Sequence, residues 1–440
     1  MSNITFRKKI VLLIFHVLLG VVLYSYPFMS TFLGIAIVIF GSYKILSSPN
    51  HYFTISLYFI SYIVGLEVLL RMCEFNLLWE FGKYSVIYFI ILGMIRQNYK
   101  INIYPPVAIY FFLLIPSIIN LPIDSFNDWR QDVAFNLAGP TCLFFLSSYL
   151  YNRRITKDEL IKMFFFALLP IFSMSIFVIL KMPSFASYIF MPHSDPSISG
   201  GYGPNQVSTI FGFIVTCLVV VQINKRYLTN SIIDITCIIL FTCLGLLTFS
   251  RGGMVGAIIS IVLGISYQLF REQNKMQFFL KTTLFSVIAL LIWLSVSVMT
   301  DNVIHKRYNI YAKSYEDRLI LDLTGRAEIF YTDMQIFEDY LFTGAGPGMA
   351  KKLRPMYGFR KIAAHTEYSR MLAEHGVFGL FSLLLVIGIP LKIFLMPDST
   401  KSKTIKIVFG SLALLTMLHI ALRIAMPCFI YSLIMPKYDD

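Results

Sequence analysis

Polar chemistry in this 440-residue chain collects in a few short stretches. Thr248-Phe249-Ser250-Arg251-Gly252-Gly253 joins two apolar runs with almost no loop, so Arg251 falls at or just inside a membrane interface. An arginine there is costly unless it is paired, snorkels to headgroups or faces a polar cavity. Its planar fork suits phosphate oxygens, and the adjacent glycines permit close approach; simple snorkelling is the competing account. Gly200-Gly201-Tyr202-Gly203-Pro204-Asn205-Gln206 opens another apolar run. Its glycines and proline allow a sharp turn, with Asn205 as cap of the next helix. Read plainly this is a loop-to-helix junction; read functionally it is a polar lining for a headgroup site.

The richest stretch runs from about residue 300 to 376. A polar segment, Asp301 to Asp322, leads to Thr324-Gly325-Arg326 and a helix-like run from Ala327 to Tyr340, with Thr324 as its N-cap. Thr343-Gly344-Ala345-Gly346-Pro347-Gly348 then makes a glycine turn, but no Gly-Lys-Ser/Thr follows, so it is not a nucleotide phosphate loop. Lys351, Lys352, Arg354, Arg360 and Lys361 come next, with no acid between Tyr340 and Thr366. An uncompensated basic cluster beside a membrane attracts phosphate or anionic lipid, unless it is merely solvated. In the helix-like segment after it, Glu367, Arg370 and Glu374 share one face at pairing distance. His365 falls in that segment's first turn. The helix end and nearby cations hold an imidazole there neutral, the state a general base requires, although a lone histidine is more often structural. His375 reads as an interfacial helix residue. The outer side shows neither HExxH nor a DxD-like acid pair, so no metal site is expected.

These residues need elements to position them, and the composition dictates which. Hydrophobic residues make up 57% and charged residues 14%, against about 25% charged in a soluble domain. No water-soluble fold could bury that much apolar surface. Apolar runs near bilayer length recur at 10–26, 28–46, 52–70, 79–95, 104–119, 134–151, 160–180, 206–223, 231–249, 252–270, 278–299, 377–396 and 405–423. The expected fold is all-α: a polytopic integral membrane protein of about 12–14 transmembrane helices with one large, partly helical periplasmic loop. Its organisation is N-terminal spans over 1–200, spans carrying the two polar turns over 201–299, the loop over 300–376 and C-terminal spans over 377–440. Met426–Met435 is too short to cross alone and reads as a re-entrant or interfacial piece.

The net charge of +13 does not indicate nucleic acid. With the N-terminus in the cytoplasm, the cytoplasmic connections collect most lysines and arginines, among them Lys8, Lys9, Arg153, Arg154 and Lys162. The short opposite-side loops carry only Arg71, Lys83, Arg130, Lys181 and Arg251. That asymmetry sets the orientation and places the long loop outside. Arg7-Lys8-Lys9 before Ile10 reads as the start of an uncleaved first helix. The six cysteines have no metal-binding spacing.

In their order, these pieces resemble the O-antigen ligase and polymerase superfamily of bacterial envelope glycosyltransferases. The resemblance rests on Gly203-Pro204-Asn205, Thr248 to Gly253, Gly325-Arg326, Gly344-Ala345-Gly346 and His365 to Gly379, and covers roughly residues 200–395. It implies an inner-membrane enzyme that takes an undecaprenyl-pyrophosphate-linked oligosaccharide at the periplasmic face, needs neither metal nor cofactor, and works with a chain-length regulator as a further partner. Arg251 and Arg326 would hold the donor pyrophosphate and His365 would serve as general base. Asn205, Lys351, Lys352, Arg354, Arg360, Glu367 and Arg370 would line the site. Many relatives read His-Asn where this chain reads His365-Thr366, a departure that favours a polymerase of lipid-linked repeat units over a ligase acting on lipid A-core. A transporter or flippase is the reading from another class; the scarcity of mid-span ionisable residues, Glu67 and Asp234, speaks against it.

Overall fold

The computed structural model describes all residues except 1–3, 49–51, 76, 79, 98–102, 123–125, 186–187, 225, 272–274, 310, 314–318, 322–325, 363, 365 and 440. The chain is an all-α polytopic membrane protein. Its helices are α1 (Phe6–Ser25), α2 (Met29–Leu46), α3 (Tyr52–Met72), α4 (Phe81–Gln97), α5 (Pro105–Phe112), α6 (Phe126–Leu150), α7 (Lys157–Lys181), α8 (Pro204–Ile223), α9 (Ser231–Leu247), α10 (Arg251–Arg271), α11 (Lys275–Met299), α12 (Val303–Tyr308), α13 (Arg326–Asp339), α14 (Met349–Leu353), α15 (Glu367–Leu395), α16 (Thr400–Met417) and α17 (Ala425–Ser432). Among the described residues, eight helices are long and apolar enough to cross a membrane by themselves. Each expected span meets a helix, with one exception. The run over 104–119 is broken: α5 stops at Phe112 and a 3-10 turn follows over Pro116–Asn120. Pro116 has no N–H, and its ring clashes with the carbonyl four residues back, at Phe112.

Two ends of the bundle can be told apart by contact. At one, which we call the basic end, Lys9 donates to the Leu228 carbonyl, Thr54 donates to Glu159, and the Arg153 guanidinium lies over the Phe53 ring. The α7 helix starts there with a reciprocal capping box between Thr156 and Glu159. The opposite, loop end holds the Thr248–Gly253 turn, the N-terminus of α8, and α12 to α14 with the first turns of α15.

The C-terminal segment is where the sequence reading changes. It is neither re-entrant nor interfacial. The α17 helix begins beside Glu67 near the loop end of α3, where the Ala425 N–H donates to the Glu67 carboxylate at 2.7 Å. By Lys437–Tyr438 the chain has reached the basic end, as a two-residue parallel strand against Arg154–Ile155. The segment therefore passes through the whole bundle with only eight helical residues. Met426 to Ile434 are all fully buried, and irregular backbone at membrane depth is tolerated where protein, not lipid, surrounds it.

Among its described residues, the polar stretch after Met299 contains α12 and two antiparallel strands in which Tyr311 pairs with Leu321 and Lys313 with Leu319.

Candidate functional site

The two polar turns are one structure. Asn205 does not cap α8, whose N-cap is Gly203 and has no side-chain capping bond. Its side-chain oxygen instead accepts from Ser250 Oγ at 2.8 Å, while Ser208 Oγ donates to the Ser250 carbonyl at 2.9 Å. The turn itself is tightened by Thr248 Oγ1, which accepts from the Ser250 N–H at 3.2 Å, and by Phe249 in a left-handed conformation at φ 53°. The two glycines after Arg251 have separate jobs. A Cβ on Gly253 would stand 2.4 Å from the Ser208 backbone, and one on Gly252 would stand 2.4 Å from the His419 ring. Close packing on α8 and on the loop after α16 therefore fixes Arg251 at the first residue of α10.

The long loop is tied to the same turn. The Arg307 guanidinium, on α12, donates to the Phe249 carbonyl at 2.7 Å. Arg326 opens α13, and burial lowers its pKa while the Arg251 charge lowers it further. The two arginines are therefore electrostatic neighbours, although 75 positions in sequence separate them. Arg326, but not Arg251, lines a cavity of 380 Å³ together with Arg307, Arg423, His193, His419 and Asn205 among others. Among the described residues no carboxylate lines it. His419 is held in place by Thr209 Oγ1 at 2.8 Å from its Nε2. Gathering like charges is unfavourable by itself and becomes favourable when an anion sits among them.

A second cavity, of 480 Å³, adjoins the first and shares Gln206 and Arg423 with it. Its character differs. Lys351, Lys352, Lys361, Arg71, Lys83 and Arg370 line it, but so do Asp132, Glu367 and Glu374. Arg370 binds Glu367 at 3.0 Å and Glu374 at 2.7 Å, so the expected helical triad forms. Lys352 pairs with Asp132 at 2.5 Å. Within the basic cluster, Lys352 and Arg354 are thus paired, with acids distant in sequence. Arg354 is fully buried, ion-paired with Asp333 and donating to the Ile362 carbonyl; it holds the loop together and faces neither cavity. Arg360 lies over the Phe359 ring and lines neither cavity.

The loop is locked onto α15 by paired glycine contacts. The Ala345 and Gly346 N–H groups donate to the Ala373 and Glu374 carbonyls, each at 3.0 Å, and Val377 N–H donates to the Leu341 carbonyl at 2.8 Å. Gly344 and Gly376 both have positive φ, and a Cβ on either would meet the other segment's backbone within 2.6 Å. His375 belongs to this lock and is not interfacial: it is fully buried, with Nδ1 2.7 Å from Ser117 Oγ.

His365 and Thr324 lie outside the described residues. Their described neighbours do bear on the site: Ala364 lines the larger cavity and its carbonyl accepts from Arg423, and Thr366 caps α15 through Tyr368 N–H. Sequence reasoning missed Arg423 and His419, which it placed at the end of a span, and Asp132, on a part of α6 that begins at Phe126 rather than 134. The signal for Arg423 was present. Cations are scarce on the loop side of the spans, and that scarcity is what singled out Arg251.

The arrangement so far defines a membrane protein with an arginine-walled, anion-suited cavity at one end of its helical bundle. Residues 236–384 match the family model for O-antigen ligase, in agreement with the O-antigen ligase/polymerase superfamily. The matched stretch is about a third of the chain and includes Arg251, Arg326, the glycine turn and the start of α15. The family indicates a function of the O-antigen ligase/polymerase type. No curated protein matches the chain.

Proposed function

We propose that this protein is a glycosyltransferase that polymerises undecaprenyl-pyrophosphate-linked oligosaccharide repeat units, for O-antigen, capsule or exopolysaccharide, at the periplasmic face of a bacterial inner membrane. The observation that carries this reading is the cavity with Arg307, Arg326 and Arg423 in its wall and no carboxylate among its described lining, with the Arg251 charge acting on Arg326. Arg251 and Arg326 bind the donor pyrophosphate. The acceptor hydroxyl attacks the anomeric carbon of the donor sugar as the bond from that carbon to the pyrophosphate oxygen breaks. His365 takes the hydroxyl proton, and the negative charge departs on the lipid pyrophosphate. Arginines aimed at that developing charge stabilise it without reorganising, so purified enzyme is expected to retain activity in EDTA. The basic end faces the cytoplasm by the lysine and arginine asymmetry. An impermeant maleimide should therefore label a cysteine placed at the exposed Lys351 and spare one at Arg154.

The matched family's description, O-antigen ligase, supports the ligase reading, and gene deletion separates the two. A single repeat unit left on lipid A-core means a lost polymerase. Polymer stranded on carrier lipid, with none on the acceptor, means a lost ligase and rejects the proposal.

A further inference from the structure

A buried charge network on α3 and α4 has no part in the mechanism above, and among the described residues its hydrogen bonds outside those helices go to one place. Glu67, Glu80 and Lys83 are almost fully buried. Arg71 binds Glu67 at 2.7 Å and approaches Glu80 at 3.4 Å, and Lys83 binds Glu80 at 2.5 Å. Burying four ionisable groups near a membrane interface is costly unless they are mutually paired and their remaining donors and acceptors are used. Here Lys83, Arg71 and Glu67 grip the loop between α16 and α17. Lys83 Nζ donates to the Leu422 carbonyl at 3.0 Å, Arg71 donates to the Arg423 carbonyl at 3.1 Å, and Glu67 accepts from the Ala425 N–H at 2.7 Å. The loop they hold is one an unsupported chain would avoid, with Ala421 left-handed at φ 53°.

What that loop presents is Arg423. Its guanidinium is the one cation lining both cavities among the described residues. It donates to the Ala364 carbonyl, and the side chain is still partly open to the cavities. Among the described residues it makes no ion pair. Its pKa is lowered first by burial and then by Arg370, with Glu367 opposing.

We propose that Arg423 is an anion-binding residue of the transfer site, standing where the two cavities meet, and that the Glu67–Arg71–Glu80–Lys83 network positions it. The inference rests on the donor-site reading and adds a ligand group from outside the family-matched region. Arg423 holds the pyrophosphate with one edge of its guanidinium, while its other edge fixes the backbone at Ala364. The network acts through the loop backbone and touches no substrate through Glu67 or Glu80, which line neither cavity.

The test is titration calorimetry of inorganic pyrophosphate into the detergent-purified full chain, beside steady-state kinetics with lipid-linked donor. Arg423→Gln should weaken pyrophosphate binding about 10- to 100-fold, the scale of charge-assisted hydrogen bonds, and raise donor KM. Arg423→Lys keeps charge without the fork and should recover only part of the loss. Glu67→Gln, with Glu80→Gln as the second variant should the first fail to fold, should weaken binding in the same direction by less. A monodisperse Arg423→Gln protein with wild-type pyrophosphate affinity and donor KM overturns the proposal, and Arg251 or Arg326 variants that lose binding in the same assay would show the donor-site reading intact. Wild-type affinity in both network variants, with affinity lost in Arg423→Gln, overturns the positioning half. Absence of pyrophosphate binding by the wild type removes the donor-site reading and this inference with it.

Discussion

The two cavities at the loop end share a wall and differ in their acids. The smaller has arginines and no carboxylate among its described lining, and the larger has more cations but binds most of them to acids. Arginines gathered in one wall and held by packing are prepared for an anion that arrives and leaves. Cations tied to carboxylates keep a shape and offer alternating donors and acceptors, which suits the hydroxyls of a sugar chain. On the proposed reading the smaller cavity takes the donor pyrophosphate and the larger takes the acceptor glycan.

The largest expected effect belongs to the proposed general base. If His365 is the general base, His365→Ala should lower turnover by roughly 10²–10⁴-fold while leaving pyrophosphate affinity near wild type. Near-normal rates at saturating acceptor would make the histidine structural and leave the chemistry to the arginines. His375→Ala is not a neutral control for this experiment. Its imidazole is buried against Ser117 and Leu114, so its removal should destabilise the loop.

The next effect is on folding and concerns the charge that faces neither cavity. Arg354→Met leaves Asp333 buried without its partner, and breaking one side of such a pair costs about 3–5 kcal/mol. Thermal denaturation should show the loss, and the double variant Asp333→Asn/Arg354→Met should recover much of it. A single variant as stable as wild type would mean that the pair does not organise the loop.

Much of this was legible in the chain, and the limits have physical causes. Span positions follow from apolar run length, which bilayer thickness sets. The Glu367–Arg370–Glu374 triad follows from helical spacing alone. Pro116 was a readable stop for α5 and was passed over because the surrounding run is apolar enough to span. Arg354 was not legible, because its partner Asp333 is 21 positions away and reaches it only through a tertiary contact. The same holds for Lys352 and Asp132, and for Glu67, whose use is to hold the α16–α17 loop. The C-terminal crossing was hidden because length rules presume a helix in lipid, whereas this segment runs inside protein.

Arg251→Lys and Arg326→Lys sharpen the donor side. Each keeps a cation but loses the two-pronged geometry, so pyrophosphate affinity and activity should each fall about 10- to 100-fold, the worth of charged hydrogen bonds. Acceptor KM should stay within about twofold if the cavities divide the work. Equal losses on both substrates would merge the two sites into one.

The smallest effect separates the cavities most cleanly. The Lys352–Asp132 pair is partly exposed, 39% and 23% at the two side chains. Solvent screening and side-chain entropy limit such pairs to about 0–1 kcal/mol, so Asp132→Asn should melt almost as the wild type does. Its effect on catalysis should be specific. Asparagine keeps one acceptor oxygen and adds two donors, so the site can still bond hydroxyls but no longer neutralises Lys352. Acceptor KM should rise a few-fold with kcat and donor KM unchanged, measured with each substrate varied against a saturating partner. The freed lysine should also make the larger cavity more attractive to anions, and inorganic pyrophosphate should begin to compete with the acceptor. If Asp132→Asn instead raises donor KM alone, the acids belong to the donor site. The contrast between an acid-free and an acid-balanced cavity would then mark two walls of a single pocket.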